Sequence, residues 1–482
     1  MSLVLWGCAA LALAAWRIPF DDEWFSIELA FDATQAQLWA ALEADVHPPW
    51  LALMDRGIAQ LAEHVLLLQA ARVVFSVGAL AIVSRTLARP LGVSRGLLVC
   101  AALHPLVLFY AGAARWYPLL WLAHALRLAA IWHVRPSGRS SASLFVGGSV
   151  LGSMASYLDP LFVLHDAIWM ALRSARAAWP RLALIVFAAV GGMLLMRFAS
   201  PLRAPLHVAL HVWEPQWHLR EVAAWGLLGL SGETAFPGMW VGLALGCVCA
   251  AAWGLGRTLR EQSVRPIGLW LISYVACWLL ACGFGVDHPR YSLMLWSIVP
   301  VLWLRCALPT AARLERVIAA AALLHLGLGL GLVLSGRGFF KADLNELHGE
   351  DCAPLTAAAD VRAVFVTYAR IEQLARRRCG STLPFRRLPS IRIVPDDAAQ
   401  LASVRDALRL PDAGSLWLLS VESQVSYART AERVHQLLGA RCQLQGQRAF
   451  AHIPHPGLSA QRAARYRRFR LEQFVCPGAA ER

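Results

Sequence analysis

The sequence predicts a mainly α protein, a polytopic helical membrane bundle followed by a small α/β domain outside the membrane. Three observations carry that prediction. Of the 482 residues, 58% are hydrophobic and only 16% are charged, a balance that suits a membrane protein better than a water-soluble enzyme. The apolar residues gather in blocks matching a hydrocarbon core of about 30 Å, which takes about 20 residues per crossing. Near Arg337 the composition shifts, and long apolar runs stop.

Blocks at 1–17, 64–84, 94–111, 116–134, 142–158, 160–173, 181–199, 236–256, 267–285, 291–308 and 317–335 predict about 11 spans. The pair 142–158 and 160–173 also reads as one long helix kinked at Pro160. Val222 to Leu230 is too short to cross and reads as a helix lying at the interface.

The net charge of +14 rests on arginine, Lys341 being the one lysine. In a soluble chain that excess would suggest nucleic acid. Its placement argues for a bilayer and against nucleic acid. Arg85, Arg89 and Arg95 share a short loop, and Arg135 and Arg139 share the next basic one. Arg173, Arg176 and Arg181, then Arg257, Arg260 and Arg265, then Arg313 and Arg316 continue the series. Intervening loops hold Asp159, Glu214, Glu221, Glu233 and Asp287. Positive charge in every second loop marks the cytoplasmic side, so the amino terminus is expected inside and the acidic loops outside. The expected location is a plasma (inner) membrane, crossed several times. Met1 to Trp16 also has Ala-Leu-Ala patterns resembling a cleavable signal, but it lacks a basic leading region, which favours an uncleaved span.

The predicted domains are therefore 1–336, membrane-embedded with an outer loop at 18–63, and 337–482, an extracytoplasmic α/β domain. In the latter, strand signals at 363–367, 391–394, 416–421 and 449–453 alternate with helical signals at 371–378, 398–408 and 430–438. Such alternation predicts a largely parallel sheet. The basic stretch Arg462 to Arg470 reads as a solvated helix face. Seven cysteines lie in or beside apolar blocks, where a thiol behaves as a small hydrophobe. Cys352, Cys379, Cys442 and Cys476 fall in the outer domain, and an even number outside the cytoplasm predicts two disulfides with three possible pairings.

Chemistry points to the outer loop. Asp21, Asp22 and Glu23 follow the first apolar block directly, and carboxylates at the mouth of a membrane helix are costly unless they serve a site. A second cluster, Asp45-Val46-His47-Pro48-Pro49-Trp50, lies in the same loop. Then come Arg72 in the next block, Arg115-Trp116-Tyr117 after the third, and His288-Pro289-Arg290-Tyr291 opening a late one. A carboxylate at an aqueous rim is placed to take a proton from an acceptor hydroxyl. Guanidinium groups at the depth of lipid phosphates are placed to stabilise a departing phosphate. The histidines His124, His165 and His325 sit singly on apolar blocks and read as satisfied bundle residues rather than ligands. Tryptophans near span ends suit an aromatic belt, with Trp213 and Trp217 as lesser candidates for stacking on carbohydrate.

In order and spacing, Asp22-Glu23, His47-Pro48-Pro49, Arg72, Arg115-Trp116-Tyr117 and Pro289-Arg290-Tyr291 resemble the GT-C membrane glycosyltransferases. The likeness is to the branch holding protein O-mannosyltransferases and the aminoarabinose transferase that modifies lipid A. It covers residues 5–310, and the outer domain matches only in being present. At the outer end of the fifth span these enzymes often carry a Tyr-x-His-Tyr-like segment, where this chain has Tyr157-Leu158-Asp159-Pro160. The resemblance implies inverting transfer of a sugar from a polyprenyl-phosphate donor to an acceptor hydroxyl on a protein, lipid or glycan. It implies Asp22 as base, with Glu23 and Asp21 beside it, and Arg115, Tyr117, Arg290, Tyr291 and His47 at the donor phosphate. Asp45 and Asp159 are expected to order the loop or meet the acceptor. No cofactor is required, although the acidic loop has carboxylates enough for a divalent metal. The rival reading is a transporter or flippase, against which stand the absence of a clear internal repeat and the gathering of ionisable residues at one face.

Overall fold

Side chains set many of the helix boundaries. His64 accepts a hydrogen bond from the Leu66 N–H at 3.1 Å and opens the helix Val65–Leu91. Gly92, at φ 63°, ends it in the left-handed conformation that glycine adopts without strain. Ser94 caps Arg95–Ala101 by accepting from the Leu97 N–H at 3.2 Å. Pro105, which has no N–H to lose, stands at the first position of Pro105–Ala111.

The computed structural model describes residues 2–16, 21–31, 33–44, 48–61, 64–132, 138–156, 159–174, 176–198, 237–282, 293–305, 349–358, 360–367, 369–380, 382–388, 414–421, 425–450 and 469–476, with scattered positions at 312–324 and at 347, 402 and 405. The chain divides into two compact units. One joins Met1–Arg17 to Leu42–Ser335; the other joins Ile18–Ala41 to Gly336–Arg482. The first 24 residues of the expected outer loop, 18–41, thus group with the carboxy-terminal chain.

The first unit is helical. We number its helices α1 (Leu3–Trp16), α2 (Trp50–Ala59), α3 (Val65–Leu91), α4 (Arg95–Ala101), α5 (Pro105–Ala111), α6 (Tyr117–Trp132), α7 (Arg139–Ala155), α8 (Asp159–Arg173), α9 (Trp179–Phe198), α10 (Pro237–Arg260), α11 (Arg265–Cys282) and α12 (Leu293–Arg305). Helix α3 packs against α1 and α6, α6 against α7, α7 against α9, and α8 against α11. One face of α3 presents Gln69, Arg72 and Ser76, spaced three and four residues apart. Each donates to a backbone carbonyl elsewhere: Gln69 Nε2 to Ala14 at 3.1 Å, Arg72 Nε to Arg115 at 3.0 Å and Ser76 Oγ to Ala111 at 2.9 Å. Trp6 Nε1 adds a bond to the Ala102 carbonyl at 2.9 Å. These side chains satisfy carbonyls at helix ends and in turns that would otherwise be buried without partners.

The expected count of about 11 membrane spans is overturned. Among the described residues one helix, α3, with 27 residues, is long and apolar enough to cross a membrane. The apolar stretches Leu3–Trp16, Trp179–Leu195, Arg265–Leu280 and Leu293–Leu302 are shorter. Backbone breaks account for two of the blocks. The block 94–111 divides at His104-Pro105 into α4 and α5, each of 7 residues, and so each roughly 10 Å long at 1.5 Å per residue. Helices α7 and α8, of 17 and 15 residues, are separated between Ala155 and Asp159, and each falls short of a hydrocarbon core of about 30 Å. The segment Val222 to Leu230, with Trp213 and Trp217, lies outside the described residues.

The second unit carries helix α13 (Asp21–Phe31) and a five-stranded sheet in the order β2-β1-β3-β5-β4. Its strands are β1 (Val361–Val366), β2 (Phe385–Arg387), β3 (Gly414–Val421), β4 (Gln443–Phe450) and β5 (Phe469–Cys476). β1 runs parallel to β2 and β3, whereas β5 runs antiparallel to both β3 and β4. The sheet is therefore mixed, not largely parallel. The error lies in β5: residues 469 and 470 of the expected basic helix face belong to a strand whose buried positions include Phe469, Leu471 and Phe474. Residues 462–468, and the expected strand 391–394 with the helix after it, fall almost wholly outside the described residues.

Strand alternation gives the sheet two cores. On one side Val364, Val366, Trp417, Leu419 and Leu471 pack with Ile371 and Leu374 of helix α14 (Ala369–Cys379). On the other, Phe365, Leu416, Leu418 and Phe474 pack with Val434 and Leu438 of helix α15 (Val425–Gly439). Each core holds one disulfide, Cys352–Cys379 in the first and Cys442–Cys476 in the second. Chain-entropy arguments for loops of this size give each bridge about 3.5 kcal/mol. Circular dichroism during denaturant unfolding, with and without reductant, should show the sheet unit destabilised by reduction; coincident transitions would remove the bridges as contributors.

Candidate functional site

Asp21, Asp22 and Glu23 open α13. Glu23 is buried, along with Trp24, Ile27 and Glu28 of the same helix. This acidic run lies in the second unit. Asp45, His47, Arg290 and Tyr291 lie outside the described residues.

Arg115 and Tyr117 stand in the first unit, at and before the start of α6, and both are buried. The Tyr117 ring meets Tyr110 edge-on at 5.4 Å between centroids and Trp116 at 4.7 Å. Arg115 is joined to Arg72 through its own carbonyl, which accepts from Arg72 Nε. Arg72 Nη2 in turn bonds Asp55 Oδ1, a fully buried pair between α3 and α2. Burial pushes the Asp55 carboxyl above its ordinary range, and the charges of Arg72 and Arg115 oppose that rise. Asp55 Oδ2 and Arg72 Nη1 are buried without hydrogen-bond partners. Arg72 thus ties the Asp55 carboxylate to the Arg115 backbone, and the Arg115 charge acts on the same carboxyl.

Asp159 goes elsewhere. At the start of α8 it is 1% exposed and takes both terminal nitrogens of Arg127, each at 2.8 Å. Arg127 Nε bonds Asp166 Oδ2 at 2.8 Å, and Nη1 also reaches the Gly148 carbonyl at 3.2 Å. His124 Nε2 lies 3.1 Å from Asp159 Oδ1, and its Nδ1 bonds the Tyr274 hydroxyl. His165 joins Asp166 at 2.9 Å and Ser273 at 2.8 Å, and Trp169 donates to the same serine hydroxyl at 2.8 Å. A chain of polar contacts thus runs from Tyr274 to Trp169 across α6, α8 and α11. His124 and His165 are both partnered within it. So is Asp159, which is held inside the bundle.

Close helix approach makes room for this network. A Cβ on Gly152 of α7 would collide with the Asp159 carboxylate, and one on Gly148 would lie 2.9 Å from Arg127 Cγ. Sequence reasoning passed over Asp55, Arg127, Asp166 and Tyr274. A signal existed: Arg127 and Asp166 are ionisable residues inside otherwise apolar helices, and such residues need partners. Among the described residues no group of three or more His, Cys, Asp or Glu is arranged to hold a metal ion.

No protein-family model matches this chain, and no curated protein sequence matches it.

Removing one partner of a buried ion pair leaves an uncompensated charge, at a cost of roughly 3–5 kcal/mol. Arg127→Met, which strands both Asp159 and Asp166, should therefore lower thermal stability far more than an exposed Arg→Met change elsewhere. Gly152→Ala should do the same through the Asp159 contact. Unfolding of purified variants checks both, and wild-type stability in Arg127→Met would show the network to be energetically idle.

Proposed function

We propose that this chain is a membrane glycosyltransferase, moving a sugar from a polyprenyl-phosphate carrier to an acceptor hydroxyl outside the cytoplasm. The observation that supports this reading best is the bond from the Arg72 side chain to the Arg115 carbonyl, 43 residues away, beside Asp55. Both arginines belong to the motif set that resembles the GT-C enzymes. Guanidinium charge in a low-dielectric surround is suited to a departing lipid phosphate, since each donor counts for more there than in water. Tyr117 is the hydrogen-bonding group beside it, and Arg290, Tyr291 and His47 complete the proposed phosphate set.

In this proposal Asp22 is the general base, with Asp21 and Glu23 beside it. It takes the proton of the acceptor hydroxyl as the acceptor oxygen bonds to the anomeric carbon and the bond to the phosphate oxygen breaks. The configuration inverts, and the phosphate leaves on its lipid. No cofactor is required for this step, and the acidic run leaves room for a divalent metal. The reading places the protein in the plasma membrane and its carboxy-terminal unit outside the cytoplasm, with roles in cell-envelope glycosylation.

A second reading, a transporter or flippase, draws support from the Arg127 network. Ionisable groups inside a helical bundle commonly mark pathways for ions or polar substrates. It predicts substrate movement that depends on Arg127 and Asp166 and is indifferent to Asp22.

Sugar transfer from a set of radiolabelled polyprenyl-phosphate sugars, measured in membranes, separates the two. Asp22→Asn should lower the rate roughly 100-fold or more, the loss of one general base. Arg115→Lys, which keeps charge but loses the bidentate fork, should also impair transfer. Equal transfer by wild type and Asp22→Asn removes Asp22 as base. Transfer from no donor, together with Arg127-dependent uptake, favours the transporter.

A further inference from the structure

The sheet of the second unit has a feature that its proposed membership in a transferase does not use. β1 and β3 are parallel neighbours, and β2 lies on the far side of β1. The chain therefore leaves β1 toward one side of the sheet and later returns on the other, so strand order reverses between β1 and β3. In open α/β sheets the crevice outside the carboxyl ends of such strands is where ligands bind. Both strands end there at a helix start: α14 begins three residues after Val366, and α15 four residues after Val421.

On the α15 side the side chains at that end are polar. On the α15 side of the sheet β1 presents Ala363 and Phe365, so its alternation carries Thr367 to the same side. β3 presents Leu416 and Leu418 there, and hence Ser420. β5 presents Phe474, and hence Glu472 and Arg470. Register agrees, since Val366 pairs with Leu419 and Ser420 lies opposite Arg470, with Leu418 opposite Glu472 one step deeper. At the carboxyl rim stand two hydroxyls and a guanidinium. Beneath them Glu472 Oε1 lies 3.5 Å from His435 Nε2 and 3.8 Å from Arg470 Nη1, whose guanidinium answers its charge. The Ser420 hydroxyl contacts the Arg470 carbonyl at 3.5 Å.

Thr367 is the telling residue. It is 0% exposed, and its Oγ1 has no hydrogen-bond partner. A valine would fill the same space at no cost in hydrogen bonding, so a buried hydroxyl here calls for a partner that the chain itself does not supply.

We infer that this crevice is a binding site for a phosphate-type oxyanion. The amino ends of α14 and α15 offer backbone N–H groups and the positive pole of each helix. Thr367 adds a hydroxyl donor, and Arg470 adds charge at the rim. The bound group is either a soluble phosphate or the headgroup of a lipid phosphate; the recognising chemistry is the same. The inference stands on the geometry of the second unit and does not require the transferase reading.

The test uses the full chain in detergent or nanodiscs. Calorimetric titration with inorganic phosphate and glycerol 1-phosphate addresses soluble sources, and vesicles with and without polyprenyl phosphate address the lipid source. Wild type should bind at least one of these probes. Thr367→Val should weaken binding at least roughly tenfold, as expected for loss of a hydrogen bond to a charged group. Thr367→Ser, which keeps the hydroxyl, should stay close to wild type, and Arg470→Gln should weaken binding. Circular dichroism confirms that the variants fold. Binding of the soluble probes assigns a soluble ligand, and binding of the lipid phosphate alone assigns a lipid one; each sustains the site. No binding of any probe by folded wild type, or equal affinity in Thr367→Val, overturns it. Sugar transfer measured on the same variants keeps failure of this site distinct from failure of the transferase reading.

Discussion

The helical unit turns on one guanidinium. Asp159 and Asp166 are both buried among apolar helices, where an isolated carboxylate is prohibitively costly. Arg127 answers both at once, with three nitrogens engaged and each contact to the carboxylates at 2.8 Å. Because Arg127 is on α6 and the carboxylates are on α8, the ion pairs set the position of one helix against the other. His124 and His165 extend the same constraint to α11 through Tyr274 and Ser273. Packing among apolar faces tolerates sliding; a shared guanidinium does not. The absence of a side chain at Gly148 and Gly152 follows from it, since α7 must pass directly over the paired groups.

Helix α3 shows the same logic applied to the backbone. Each break between helices leaves carbonyls without intrahelical partners. Gln69, Arg72 and Ser76 meet three such carbonyls from one face of a helix that is otherwise apolar. The short helices α4 and α5 are stable inside the bundle because neighbours satisfy their ends, not because of their length. That is also why apolar content proved a poor measure of spans. A run of apolar residues broken by Pro105, or by the segment between α7 and α8, makes a core of short helices as readily as a set of crossings.

In the sheet unit the physical division is between an apolar interior and a polar rim. Alternation buries both faces of β1 and β3, and each face has its own disulfide. Toward the carboxyl ends the same alternation delivers Thr367, Ser420 and Arg470 instead of hydrophobes. Their gathering on one side is a consequence of register: a slip of one residue in any strand would send its polar group to the opposite core.

Much of this architecture was legible from local signals. Helices at Val65, Tyr117, Arg139 and Asp159 show as apolar blocks, and the strands near 363–366 and 416–421 with the helices that follow them show as alternating signals, each legible within one segment. The even set of four cysteines implied two bridges, because thiols in an oxidising setting pair whatever the fold. Asp22, Arg72 and Arg115 could be singled out for their order along the chain. What the sequence could not decide was partnership across distance. Which cysteine meets which, that Asp159 faces Arg127, and that Asp55 meets Arg72 all depend on three-dimensional approach between segments that share no local pattern. β5 was hidden because it begins at the end of an arginine run that reads as a solvated helix, and only pairing with β3 gives its alternation meaning. Local propensity is a property of a segment, and the sequence by itself determined that. The pairing of buried charges and the closing of strand edges are properties of the whole unit, so tertiary structure decided them.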